Sequence, residues 1–165
     1  MLATTTLPSP LGTLTLIADD DGLVAILWEN DPPNRVRLEP TREDPDHPVL
    51  AATARQLTEY FGGERTAFDL PLAPRGTAFQ QAVWRELVAI PFGETRSYAD
   101  LARTLGQPTA TRAVGAANGR NPLSIVAPCH RVVGSNGALT GFAGGLAAKR
   151  WLLDHERQVT GATLI

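Results

Sequence analysis

Ser97-Tyr98-Ala99-Asp100-Leu101-Ala102-Arg103-Thr104-Leu105-Gly106-Gln107-Pro108-Thr109-Ala110-Thr111-Arg112-Ala113-Val114-Gly115-Ala116-Ala117-Asn118-Gly119 is the stretch on which the fold turns. Ser97 with Asp100 three residues on has the form of a capping box, in which each side chain satisfies a backbone N–H of the first helical turn. Leu101, Ala102 and Leu105 supply an apolar face, and Gly106 closes the helix. After the short connection Gly106-Gln107-Pro108, Thr109 is expected to cap a second helix that runs to about Asn118, with Gly119 past its end. Two helices around a tight glycine-containing turn predict a helix-turn-helix. The second helix is nearly bare: Ala110, Ala113, Gly115, Ala116 and Ala117 carry almost no side chain, while Arg112 and Arg120 carry positive charge. Small residues let a backbone approach either a neighbouring helix or another surface, and the two arginines favour the second reading.

Outward from this stretch, Phe79, Val83, Trp84, Leu87 and Ile90 form an apolar stripe from Thr77 onward, stopped by Pro91 and Gly93. Pro71, Pro74 and Gly76 mark a linker. Upstream, Leu11 to Ala18 alternates Leu14 and Leu16 with Thr13 and Thr15. Asp19-Asp20-Asp21-Gly22 then turns into the apolar run Leu23 to Trp28, and the pair reads as a β-hairpin. Residues 29 to 47 read as a surface loop. Leu50, Ala54, Leu57 and Phe61 share a helical face ended by Gly62-Gly63, and Phe68, Leu70 and Leu72 read as a further strand. The fold class is therefore α+β, with an N-terminal sheet-plus-helix domain over residues 1–74 and a helix-turn-helix domain over residues 75–165.

Charge is divided the same way. Residues 1–74 carry five basic against twelve acidic side chains, a net −7, whereas residues 75–165 carry ten against five, a net +5. The second half is the one suited to a polyanion. No run of about 18 apolar residues could span a bilayer, and the N-terminus lacks the basic start and apolar stretch of a secretory signal, so a cytoplasmic protein is expected. Cys129 is the only cysteine, which excludes an intramolecular disulfide and a zinc site built on several thiolates. A single lysine among fifteen basic residues points to a GC-rich bacterial genome.

The chemistry concentrates in Pro128-Cys129-His130-Arg131-Val132-Val133-Gly134. A cysteine attacks only as thiolate, and from an ordinary pKa of about 8.5 little is ionised near neutrality, so a base or positive field must help. His130 is adjacent. On an extended strand adjacent side chains diverge, so His130 reaches Cys129 only if a turn forms at Pro128-Cys129 or a water bridges them. A third group should orient the imidazole, and the final helix offers Glu156.

These residues resemble the active-site signature of the O6-alkylguanine-DNA alkyltransferase family. Phe79-Gln80-Gln81-Ala82-Val83-Trp84, Pro91 to Tyr98, Arg112-Ala113-Val114-Gly115, Asn118 to Pro122 and Gly144-Gly145-Leu146 resemble further family motifs in the expected order. The strong match covers about residues 76 to 157. The resemblance implies a ribonuclease H-like first domain, a winged helix-turn-helix second domain, and direct-reversal repair by stoichiometric transfer of an alkyl group from O6-alkylguanine, with O4-alkylthymine a further possible substrate. Cys129 would be the acceptor, His130 the base acting through a water, Glu156 its support and Asn121 the brace of the turn that presents the cysteine. Tyr98 would crowd the target nucleotide and contact its base, and Arg112 would fill the duplex where that base had been. Ala113, Gly115, Val132, Ser135, Phe142 and Ala143 would complete the DNA and lesion contacts. The partner implied is double-stranded DNA, bound by a monomer with cooperative assembly on DNA as an option, and no cofactor or metal is expected.

Gly141-Phe142-Ala143-Gly144 departs from the commoner pattern, with Phe142 where many members have Tyr and Ala143 where some have Ser. The stacking wall survives without its hydroxyls, so lesion contacts in that loop would come from backbone N–H groups such as that of Ala143. Ser135-Asn136-Gly137 reads equally as a plain turn. His47, in the loop before the first helix, is expected to be solvated, and His155 to face away from Glu156; neither has ligand spacing. Three other readings fit these residues less well. A non-catalytic lesion sensor has no use for Cys129, a cysteine hydrolase built on Cys129, His130 and Glu156 leaves Arg112 without a role, and a methylation-switched regulator would need another DNA-binding domain.

Overall fold

Threonine-rich alternation builds the first sheet. The computed structural model describes residues 1–163, in two compact units that divide between Arg75 and Gly76. Strands β1 (Leu2–Ser9), β2 (Gly12–Ala18) and β3 (Leu23–Leu27) are antiparallel neighbours, and β4 (Thr41–Glu43) adds parallel to β1, giving the order β3-β2-β1-β4. The expected hairpin is thus β2–β3. Two strands were not anticipated: β1, whose Thr4-Thr5-Thr6 run buries little, and β4, a short exposed edge inside the expected loop. Helix α1 (Pro48–Phe61) packs across β1, β2 and β3, burying Leu50, Thr53, Gln56, Leu57 and Tyr60. Leu2, Ile17, Val24 and Ala25 form a buried apolar cluster against which Leu27, Val36, Leu38 and Ala73 pack.

The strand expected at 68–72 shrinks to one bridge between Leu23 and Leu72. Pro71 has no N–H to donate, and the Gln56 side chain takes both the N–H and the carbonyl of Asp69 at 2.8 and 2.9 Å, so those groups cannot join a ladder. His47 is corrected too. It is a half-buried N-cap of α1 whose Nδ1 accepts from the Val49 N–H at 3.2 Å.

In the second unit α2 (Ala78–Val88), capped by Thr77 and Gln80, buries Val83, Trp84 and Leu87. The Ser97/Asp100 capping box forms as expected and opens α3 (Tyr98–Thr104). Gly106, at φ +72°, takes the left-handed turn into the next helix. Helix α4 (Thr111–Gly119) starts later than expected: Ala110, not Thr109, is its N-cap, without a side-chain bond, and Gly119 is its last residue. α4 packs on both α2 and α3, and Trp84 Nε1 donates to the Ala117 carbonyl at 2.8 Å, fixing the helix-turn-helix. A two-stranded parallel ladder pairs β5 (Arg96–Ser97) with β6 (Val132–Val133), tying the start of α3 to the residues just after Cys129. Helix α5 (Leu146–Thr163) completes the unit. The α+β organisation, sheet first and helix-turn-helix second, is the one expected.

Candidate active site

Every residue from Asn121 to Val133 is buried. Asn121 braces this segment: its Nδ2 donates to the Ala127 carbonyl at 2.8 Å and its Oδ1 accepts from the Leu123 N–H at 3.0 Å. Between them Ile125 sits at φ +75°, a region that a β-branched residue avoids and that stores roughly 1–3 kcal/mol of strain. The bend brings the chain into a single 3₁₀ turn over Cys129–Arg131 rather than an extended strand. Cys129 retains 4% of its exposure.

His130 is completely buried, and its Nε2 lies 2.7 Å from Glu156 Oε2. Burial pushes the imidazole below its ordinary value near 6.5, against the opposing pull of Glu156, so the ring is neutral. Burial would raise the Glu156 carboxyl, but bonds from His130 and Arg131 outweigh it and hold the group well below the usual carboxylate range. An ionised carboxylate can only accept. Nε2 must therefore carry the hydrogen, and Nδ1 keeps its lone pair with no hydrogen-bond partner among the described residues. Arg131 grips the same carboxylate through Nε at 2.8 Å and Nη2 at 2.9 Å, donates Nη1 to the Ile90 carbonyl at 2.6 Å, and lies over the Phe92 ring. The Gly93 N–H, at φ +80°, gives Glu156 a further bond of 3.1 Å. The result is a buried imidazole held by a carboxylate that accepts from His130, Arg131 and Gly93.

Lys149 stands two helical turns before Glu156 on α5 and is also fully buried. Its Nζ donates to the Val132 carbonyl at 2.6 Å, the Thr140 carbonyl at 3.3 Å and Thr140 Oγ1 at 3.5 Å. Burial lowers its pKa, and an electrostatic interaction with Cys129 opposes that shift. Tyr98, the first residue of α3, places its hydroxyl 2.5 Å from the same Thr140 Oγ1.

Arg112, Ala113 and Ser135 are exposed, and Gly115, Phe142 and Ala143 are half-buried, while Val132 is buried in β6. Gly134 and Ala138 bond across Ser135-Asn136-Gly137, which is therefore a tight turn with Ser135 at its surface. A cleft of about 370 Å³ runs from that turn to Arg96, Asp100 and Arg103. His155 stacks on Trp151, away from Glu156. Among the described residues no cluster of His, Cys, Asp and Glu could hold a metal ion, and no helix is long and apolar enough to cross a membrane.

Sequence reasoning missed Arg131, Lys149 and Thr140 as members of this network. Arg131 lay inside the quoted signature, next to the histidine. Lys149 had a signal as well, being the one lysine in an arginine-rich chain and four and seven residues before the inward-facing Leu153 and Glu156.

Residues 2–74 match the family model described as 6-O-methylguanine DNA methyltransferase, ribonuclease-like domain, and residues 78–158 match the DNA binding domain of the same description. The methylated-DNA–protein-cysteine methyltransferase of Mycobacterium tuberculosis is 46% identical over 161 residues, covering 96% of this chain and 94% of its own. The constitutive methylated-DNA–protein-cysteine methyltransferase of Bacillus subtilis is 47% identical over 157 residues, covering 93% and 94%. A crystal structure of Mycobacterium tuberculosis OGT in complex with DNA superposes with a TM-score of 0.88 at 43% identity, covering 95% of this chain and 94% of that one.

Proposed function

The chain belongs to the 6-O-methylguanine DNA methyltransferase family, and from that premise we propose that it repairs alkylated DNA by moving the alkyl group from O6 of guanine to the sulfur of Cys129, once per molecule. Its enzyme class is methylated-DNA–protein-cysteine methyltransferase. The observation that carries the mechanism is the fully buried His130, whose Nδ1 has no hydrogen-bond partner among the described residues while Nε2 lies 2.7 Å from Glu156 Oε2. Nδ1 accepts the thiol proton through a bridging water, and the thiolate attacks the alkyl carbon. The sulfur–carbon bond forms as the carbon–O6 bond breaks, its electron pair leaving on guanine, and Tyr98 donates to the departing base. The product is a thioether. It has no activated carbonyl for water to attack, so the sulfur is not regenerated and no cofactor enters.

A lesion stacked within a duplex cannot meet the sulfur of a cysteine that is itself only 4% exposed, so the nucleotide must be swung out, with Arg112 filling its place. The small exposed surface of α4 suits the narrow minor groove, where phosphate contacts dominate and sequence is read little. The second unit thus holds both the DNA surface and the chemistry, Asn121 and its turn presenting the nucleophile, with Ala113, Gly115, Val132, Ser135, Phe142 and the Ala143 backbone as the remaining contacts. In this proposal the protein is a cytoplasmic monomer in solution that acts on double-stranded DNA, with cooperative assembly on DNA as an option.

Incubation with a duplex carrying O6-methylguanine should add one methyl group to the tryptic peptide spanning residues 121–131, in a single burst. Repeated turnover, or an unmodified Cys129 after repair, would overturn the proposal. Arg112→Ala should slow repair of duplex DNA more than reaction with the free modified base, and equal loss on both would remove the extrusion role.

A further inference from the structure

Lys149 is a buried cation, and among the described residues no carboxylate pairs with it. A charge removed from water without a counter-ion is destabilising, so its retention calls for a reason other than packing. An ammonium can only donate, and the three bonds from Nζ end on the Val132 carbonyl, the Thr140 carbonyl and Thr140 Oγ1. That last oxygen is also the partner of the Tyr98 hydroxyl. A cation at one end of two linked hydroxyls polarises them in sequence: the positive N–H draws electron density from Thr140 Oγ1, which makes the Thr140 hydrogen a stronger donor to Tyr98 Oη and leaves the Tyr98 hydrogen for the site.

Resting on the alkyl-transfer reading above, we propose that Lys149 and Thr140 are positioning residues that make Tyr98 the acid for the leaving guanine. As the carbon–O6 bond breaks, the Tyr98 proton goes to the departing base. The negative charge left on Tyr98 Oη is met by the Thr140 hydroxyl, and the charge drawn onto Thr140 Oγ1 by the Lys149 ammonium. The thiol proton has by then passed to His130, and it returns to Tyr98 through solvent once the base has left, so no proton is gained or lost overall. Lys149 lies in the electrostatic field of Cys129 as well, so one fixed charge serves both the nucleophile and the acid.

The test is Thr140→Val, which removes the hydroxyl while leaving the Thr140 and Val132 carbonyls to Lys149, with Thr140→Ser as the restoring variant. Single-turnover transfer from a duplex containing O6-methylguanine should slow about tenfold in Thr140→Val, the worth of one charge-assisted hydrogen bond, and recover in Thr140→Ser. The loss should shrink with O6-methyl-8-azaguanine in the same duplex, whose less basic leaving group needs less acid. It should vanish when Thr140→Val is added to Tyr98→Phe. Alkylation of Cys129 by iodoacetamide, which needs no acid for a purine, should proceed at the wild-type rate in Thr140→Val. An equal slowing on both lesions, or a full additional loss on top of Tyr98→Phe, would overturn the proposal. Failure of the wild-type protein to label Cys129 from DNA would instead overturn the alkyl-transfer reading on which it rests.

Discussion

The two units bury different things. In the first, Leu14, Leu16, Ile17, Leu23, Val24, Ile26, Leu50 and Leu57 are closed from water, the buried polar residues Thr53 and Gln56 are uncharged, and the Arg35–Asp31 ion pair keeps about a tenth of its side-chain exposure. In the second, the charged or titratable residues His130, Arg131, Lys149 and Glu156 are all buried. An apolar interior gains about 25 cal/mol for each Å² removed from water and tolerates modest change in side-chain shape. An interior holding ionised groups gains little net stability and fails if one partner goes. The first unit is therefore built to be stable, whereas the second holds its charged groups in register around one sulfur.

That contrast predicts where each unit breaks. Glu156→Gln leaves Arg131 without its buried anion, and it should destabilise the second unit by about 3–5 kcal/mol, read as lost hydrogen-exchange protection around residues 121–133. Leu57→Ala should cost about 2–5 kcal/mol through the cavity it leaves, with protection lost in the sheet and α1 and the rate of alkyl transfer by folded protein unchanged. Were Leu57→Ala to slow transfer as Glu156→Gln does, the division of labour would be wrong. Asn121→Ala, which strands the Leu123 N–H and leaves the Ala127 carbonyl only its bond from the Cys129 N–H, beside the strained Ile125, should lose about 1–3 kcal/mol and slow Cys129 alkylation, as expected if this turn presents the sulfur.

Acid sharpens the same contrast. Folding lowers the His130 pKa, so as pH falls through about 6.5 the unfolded chain takes up a proton that the folded one refuses, and stability declines. Glu156, held below its ordinary 4.5, adds a further loss from about pH 4.5 downward. In urea titrations from pH 7 to 3, Glu156→Gln should lack the lower part of that decline. If the slopes match those of the parent, the His130–Arg131–Glu156 network is not what titrates. The smallest effect is expected at Gly115→Ala. The added Cβ would come no nearer than 3.8 Å to Tyr98, so helix α4 should gain up to about 1 kcal/mol in thermal stability, while DNA binding weakens if this backbone lies against the groove.

Most of the elements were legible because they rest on local rules. The β2–β3 hairpin, α1 ending at Gly62, and the Ser97/Asp100 box each follow from alternation, periodicity or a cap, which act within a few residues. The misses follow from partners distant in sequence. Phe68 to Leu72 alternates like a strand, yet the Gln56 side chain, thirteen residues before Asp69, takes the backbone groups a strand would need. β1 has too few buried positions to show a pattern, and it is held by pairing on both sides. Thr109 has the chemistry of a cap, but the turn leaves it one residue short.

By itself the sequence determined the order of sheet and helix-turn-helix, and it singled out the one cysteine, with a histidine and a glutamate as its candidate partners, since these depend on residue type and short-range spacing. Tertiary structure alone decided that His130 is neutral with Nδ1 open, that Arg131 shares its carboxylate, and that Lys149 reaches Tyr98 through Thr140. Protonation state and hydrogen-bond direction depend on burial and on groups brought together from separate elements, and neither quantity is carried by any residue on its own.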